Sequence, residues 1–191
     1  MKKFELTTNT KMFLGKKLFQ IKALISFGDV EVGELGGYIE KEENLDYDGD
    51  AWVSGDACVS GNARVYGNAC VSGDACVYGD ARVYGDARVS GDACVYGNAR
   101  VYGDACVYGN ACVSGNACYT TIKGFGRKYR TTTFFRCKDG KVRVQCGCFY
   151  GDLEEFRAIV KDTHGESKKA KEYLMIADLM ELHFEENEND K

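Results

Sequence analysis

Apolar residues recur along the middle of this 191-residue chain with a period that no α-helix can keep. From Ala51 to Asn116 the unit Ala-x-Val-[Ser/Tyr]-Gly-[Asp/Asn] repeats eleven times without insertion. Leu45–Asp50 reads as a degenerate unit before it. Ala and Val are two residues apart, so in an extended strand they share one side while the residues between and after them share the other. A period of 3.6 loses that register quickly, whereas short strands joined at Gly-Asp or Gly-Asn corners keep it. Small Ala and β-branched Val suit a narrow interior, and Gly supplies corner conformations that other residues adopt only at a cost.

A longer period is laid over the first. Steps of eighteen collect Cys58, Cys76, Cys94 and Cys112 in one column. A second column holds Arg64, Arg82, Arg100 and Cys118, with Tyr66, Tyr84, Tyr102 and Thr120 beside it; a third holds Trp52, Cys70, Arg88 and Cys106. Eighteen residues are three hexads, so each coil has three flat sides. The hexads resemble those of the hexapeptide-repeat family of left-handed parallel β-helices, best known from acyltransferases. The resemblance spans roughly 45–118 and implies a mainly β fold of about four coils.

The flanks predict caps, because open solenoid ends expose strand edges that invite association. Residues 1–44 read as a strand-rich N-terminal cap, with Phe19, Ile21, Ala23 and Ile25 alternating. Gly33, Gly36 and Gly37 lack the Lys-Ser/Thr of a phosphate loop and read as a turn into the first coil. Residues 119–184 predict a ββαα unit. In it Thr131–Lys138 and Lys141–Tyr150 flank the hairpin signal Asp139-Gly140. One helix is then capped by Asp152 and buries Leu153, Phe156 and Val160; a second is capped by Ser167 and buries Ala170, Leu174, Ala177 and Met180. Residues 185–191 read as an acidic tail. Gly28-Asp29-Val30, Gly36–Asn44, Thr131–Arg136, Cys146–Phe149 and Thr163–Gly165 resemble uncharacterised proteins common in bacteriophages and prophages. That resemblance implies a phage context and carries no activity.

Charge changes the picture in one place. Residues 119–150 hold eight basic and one acidic residue, and residues 151–191 hold six against twelve. The basic stretch, interleaved with Phe125, Tyr129 and Phe134, fits an anionic partner, nucleic acid included, and equally fits docking against the acidic helices that follow. No apolar run approaches a membrane span, so a cytoplasmic protein is expected, in the host cytoplasm if phage-encoded.

Chemistry is mostly argued by exclusion. Acyl transfer on this fold needs a His base, but His164 and His183 both lie C-terminal to the coils. Two histidines also fall short of the three that a β-helical carbonic anhydrase gives its zinc. The thiol column suits neither disulfides nor zinc: rungs about 4.8 Å apart exceed the Cβ separation of about 3.8 Å that a disulfide wants, and four thiolates in file cannot form a tetrahedron. Those cysteines read as compact side chains on a surface that something covers, so Cys58, Cys76, Tyr78, Cys94, Tyr96 and Cys112 are the expected interface. Cys137, Cys146 and Cys148 read as sharing a core face with Phe135, Val142 and Val144, not as a metal site. The feature that asks for a partner is Arg-Val-Tyr on three successive coils. Guanidinium groups stacked at rung spacing repel unless an anion relieves them, while Tyr rings offer stacking. Corner Asp residues could neutralise them instead, and repeat duplication copies residues without selecting them. The ligand candidates are Arg64, Tyr66, Arg82, Tyr84, Arg100, Tyr102, Arg127, Lys128 and Arg130. The expectation is a non-enzymatic phage-type binding protein without cofactor or metal, a dimer or trimer, that takes a host protein or anionic nucleotide and inhibits host defence. An acyltransferase-like enzyme and a structural or assembly module are the alternatives.

Overall fold

The computed structural model describes residues 2–125 and 130–185, which belong to two compact units divided between Asn116 and Ala117. The first unit opens with an antiparallel hairpin, β1 (Phe4–Phe13) and β2 (Lys16–Ala23), and β2 pairs antiparallel with β3 (Leu35–Ile39). Eleven two-residue strands follow: β4 (Trp52–Val53), β5 (Cys58–Val59), β6 (Arg64–Val65), β7 (Cys70–Val71), β8 (Cys76–Val77), β9 (Arg82–Val83), β10 (Arg88–Val89), β11 (Cys94–Val95), β12 (Arg100–Val101), β13 (Cys106–Val107) and β14 (Cys112–Val113). They stack in parallel with an 18-residue step, as Cys58↔Cys76, Arg64↔Arg82 and Cys70↔Arg88 show. This is the expected three-sided β-solenoid of about four coils. Each residue column occupies one face: a thiol face on β5, β8, β11 and β14, an arginine face on β6, β9 and β12, and a mixed face on β4, β7, β10 and β13. The repeated Ala and Val side chains are fully buried in every unit, so the core is a stack of small and β-branched side chains.

The ladder has a direction. In the bonds that flank the two-residue strands each coil donates to the next: Cys58 N–H to Ala75 O (2.9 Å) and Arg64 N–H to Ala81 O (3.0 Å). The first coil therefore presents unclaimed carbonyls and the last unclaimed N–H groups, which would be costly if left unpaired. Donors close one end. Buried Lys3 gives its ammonium to Ala51 O (2.9 Å) and Gly49 O (3.2 Å), and buried Asn44 gives its amide to Ala63 O (2.8 Å) and Gly61 O (3.2 Å). An acceptor serves the other end, where Asn116 Oδ1 takes the Arg100 N–H at 3.0 Å.

The solenoid begins before residue 45. Tyr38 and Ile39 stack on Cys58 and Val59 as a rung of the thiol face. Gly36 and Gly37 are part of that strand rather than a turn. A Cβ on Gly37 would lie 2.7 Å from Ala57 O, and one on Gly36 would lie 2.5 Å from the Ile21 side chain.

The second unit holds β15 (Tyr119–Phe125), β16 (Arg130–Arg136), β17 (Val142–Cys146), β18 (Phe149–Asp152), α1 (Leu153–His164) and α2 (Lys168–Phe184). The strands form one antiparallel meander in chain order, so four strands precede the helices where a hairpin of two was expected. The extra pair has two causes. Residues 119–125 pair with β16, and Gly147-Cys148 is a two-residue turn, with Gly147 at φ 63°, that splits the second expected strand. The Asp139-Gly140 loop is also one residue longer than a two-residue turn, with Arg136 opposite Val142 and Phe135 opposite Arg143. One residue of slip reverses every side chain. Phe134, not Phe135, therefore joins Val144 under the helices, while Phe135 packs against Tyr150 on the other side (6.3 Å). Cys148 stands exposed in the turn instead of sharing a core face. The helix caps are as expected: Asp152 accepts from Glu155 N–H (2.9 Å) and Ser167 from Ala170 N–H (3.3 Å). Tyr173, Ile176 and Phe184 add to the expected core of Phe156, Val160, Ala170, Ala177 and Met180. No helix among the described residues is long and apolar enough to cross a membrane.

Candidate ligand-binding face

Alternation puts Val65, Val83 and Val101 inside and leaves the Arg and Tyr of each rung side by side outside. Arg64, Arg82 and Arg100 are all exposed. The Tyr66 and Tyr84 rings stack at 4.8 Å and 2°, and Tyr84 and Tyr102 at 5.4 Å and 16°. The result is a flat lattice of three cations beside three nearly parallel rings, of which Tyr102 is 54% exposed.

The corner carboxylates that border this face are engaged along the corners. Asp80 accepts from the Asn62 amide and Asp86 from the Asn68 amide, each at 3.0 Å. Among the described residues neither the Arg64 nor the Arg82 side chain has a hydrogen bond or ion pair, whereas Arg100 has a partner. Arg88, on the mixed face, differs: its rung neighbours are Cys70 and Cys106, not other arginines. Repulsion within the arginine column is thus not relieved by the nearest acids for two of its three members.

The N-terminal segment covers the other two faces. Phe27 packs edge-on against Trp52 (5.4 Å) on the mixed face. On the thiol face Phe13 packs on Tyr78 (5.8 Å), and the Lys11 ammonium reaches Asp56 O (3.1 Å). Cys58 is consequently only 2% exposed, so it belongs to the fold's own packing and not to an interface with another molecule. Cys76, Tyr78, Cys94, Tyr96 and Cys112 are half-buried. All ten cysteines are free thiols. The neighbouring Cys76 thiol pushes Cys58 down to about 7, while Cys76 itself is pushed up by Cys58 and by burial. Tyr78 and Tyr96 stack at 5.1 Å, and the Tyr96 hydroxyl meets Cys112 Sγ at 3.4 Å.

The basic segment divides. Arg127 and Lys128 lie outside the described residues. Arg130 opens β16 in the second unit, exposed, with its guanidinium against Gly147. Arg136 donates to Phe184 O and lies over the Phe184 ring, and Arg143 pairs with Asp139 at 2.9 Å. Part of the excess charge therefore serves the second unit's own packing. The same unit has a cavity of about 220 Å³ that gathers Cys146, Cys148, His164 and Tyr173, with the His164 and Tyr173 rings stacked at 6.0 Å. Burial pushes Tyr173 up to about 12, with Cys146 adding to the shift. The sequence reading missed this grouping because Tyr173 sits in a later helix. Among the described residues no three His, Cys, Asp or Glu side chains are placed to hold a metal.

The YdcK beta solenoid repeat model matches residues 57–73, 63–79, 75–91, 81–95 and 93–109. The middle of the chain is a β-solenoid repeat array. The matched segments run from β5 to β13 and include the whole Arg–Tyr lattice. No curated protein matches the chain.

Proposed function

We propose that the chain is a non-enzymatic binding protein whose arginine face takes an anionic ligand carrying a stackable ring, of which a nucleotide is the simplest class. The observation that carries the reading is the lattice itself: Arg64, Arg82 and Arg100 in one exposed file beside the stacked Tyr66, Tyr84 and Tyr102. Guanidinium groups grip phosphate oxygens in bidentate pairs, and phenol rings present flat faces to a base. An acidic patch on a protein would meet the same charges without needing the rings. The resemblance of the flanks to phage proteins adds a setting, in which the ligand is an anionic signalling nucleotide or a host protein and its capture blunts host defence.

The test is native mass spectrometry of the chain purified gently from the cytoplasm of expressing cells, beside Arg64→Ala/Arg82→Ala/Arg100→Ala. Wild type should carry an added mass of a few hundred daltons that the triple variant lacks, with the triple variant still folded and unfolding cooperatively. A wild-type chain that carries no small molecule, and whose unfolding temperature no nucleotide raises, sinks the nucleotide reading. An adduct retained by the triple variant moves the site off this face.

A further inference from the structure

The thiol face carries a second inference, independent of the arginine face. Cys58, Cys76, Cys94 and Cys112 are direct partners in successive parallel rungs. The first three thiols share one orientation, each turned toward the carbonyl two residues before it: Cys58 to Asp56 O (3.4 Å), Cys76 to Asp74 O (3.5 Å) and Cys94 to Asp92 O (3.8 Å). Sulfur thus recurs along the face at the rung spacing, about 4.8 Å.

That spacing is too long for a disulfide and too linear for a tetrahedral ion, but it suits an ion that takes two ligands in line. Metal–thiolate bonds of about 2.3 Å put opposed sulfurs about 4.6 Å apart, within a few tenths of an ångström of the rung spacing. Filled-shell univalent cations such as copper(I) and silver(I) favour soft thiolates and accept such digonal coordination. We propose that the thiol face binds univalent soft cations of the copper(I) class, each held linearly between the thiolates of two successive coils. Four thiols taken two at a time hold two ions, at Cys58/Cys76 and Cys94/Cys112. Each binding event forms two metal–sulfur bonds and breaks two S–H bonds. The two protons go to solvent, no electron is transferred, and the site carries one net negative charge. The mixed face is a built-in contrast. Arg88 separates Cys70 from Cys106, so those sulfurs lie two rungs apart, about 9.6 Å, beyond the reach of one ion.

The experiment titrates silver(I), which is redox-inert, into the full reduced chain and counts bound ions by native mass spectrometry. Two variants lose the same number of thiols but differ in adjacency. Cys76→Ser/Cys94→Ser breaks every neighbouring pair in the file, and Cys58→Ser/Cys112→Ser leaves Cys76 beside Cys94. If the remaining cysteines hold a background of n ions, wild type should hold n+2, the Cys58/Cys112 variant n+1 and the Cys76/Cys94 variant n. Equal counts in the two double variants, or a wild type no better than the Cys76/Cys94 variant, overturn the proposal. X-ray absorption of the wild-type chain loaded with two equivalents of copper(I) needs no variant to fold. Two sulfur neighbours per copper are expected, and three or four overturn the linear site.

Discussion

Removing one charge from the arginine column should stabilise the unliganded solenoid. Arg82 lies between Arg64 and Arg100 in a file of parallel rungs, about 4.8 Å apart. Two unit charges at that separation repel by roughly 0.9 kcal/mol in water. At 0.15 M salt, with a Debye length of about 8 Å, roughly half of this survives. Arg82 has two such neighbours, so Arg82→Gln should raise the unfolding free energy by about 1 kcal/mol, and by about half of that where the long side chains splay apart. In 1 M salt, where the Debye length is about 3 Å, the gain should fall to ~0.3 kcal/mol. The assay is urea unfolding followed by Trp52, the one tryptophan of the chain, which is buried in β4 and so reports on the solenoid unit. Arg88→Gln is the control, since Arg88 has Cys70 and Cys106 as rung neighbours and no arginine beside it; it should change stability by no more than about 0.5 kcal/mol. An Arg82→Gln variant that is destabilised, or whose gain is the same in 1 M salt, would refute the claim that the column is under charge strain.

Three further outcomes follow from the ends and corners of the solenoid. Lys3→Met keeps the stem but strips the donor from Gly49 O and Ala51 O, and leaving buried carbonyls unpaired should cost about 1–3 kcal/mol in the same unfolding assay. Glu40 accepts from Lys16 (2.9 Å) and from Gly61 N–H (2.6 Å), and these bonds, Lys16 first, hold its carboxyl below the usual value of 4.5. A depressed folded-state carboxylate stabilises above its ordinary titration range and stops doing so as pH falls through its folded value, so Glu40→Gln should weaken the fold at pH 7, and its deficit against wild type should shrink as pH is lowered below 4.5. Gly79→Ala should cost more than Gly103→Ala, read as the difference in urea midpoint. Both have positive φ, but only at Gly79 does the added methyl meet the next coil, 3.1 Å from Gly97 N; the strained backbone alone is worth about 1–2 kcal/mol.

The solenoid was legible because its signal is geometric. A two-residue spacing of Ala and Val sets inside and outside, and an eighteen-residue step sorts the faces, so the columns fell where the pattern placed them except at the end of the arginine column: Cys118 and Thr120 belong to the second unit, in a short 3-10 turn and in β15, because the hexads stop at Asn116. The caps were legible only as a need. Nothing in Lys3 or Asn44 as residues distinguishes a buried end-cap from surface polarity, because the role depends on the direction of a ladder that a sequence does not display. Tyr38 was missed as a rung because Gly36-Gly37 replaces the Ala of the motif, and glycine is demanded there by backbone from another coil. In the second unit the Asp139-Gly140 signal was read correctly as a turn but wrongly as a two-residue one. A slip of one residue put Phe135 on the wrong face. Local turn chemistry locates a hairpin more securely than it sets the register.

The three faces began as equivalent products of one repeat, and what separates them is coverage. Fold requirements consume Ala, Val and Gly in every hexad, leaving the second and fourth positions to vary. Arg-Val-Tyr occurs at residues 64–66, 82–84 and 100–102 and at no other hexad, and all three copies fall on one face. Duplication of an eighteen-residue unit accounts for that placement. It does not account for the energetics, since copying a column also copies its repulsion. The chain's own N-terminal segment spends Phe13, Phe27 and Lys11 on the thiol and mixed faces. The nearest corner acids on the arginine face are turned to Asn62 and Asn68. A face that is flat, aromatic and positively charged, with two of its cations lacking partners among the described residues, gains most from an anion supplied from outside. The thiol face has the opposite character: it is half-covered, and it carries thiols where the arginine face carries guanidinium groups. The same backbone spacing thereby sets guanidinium groups in file on one face and thiols in file on another, and the two proposals above rest on that difference.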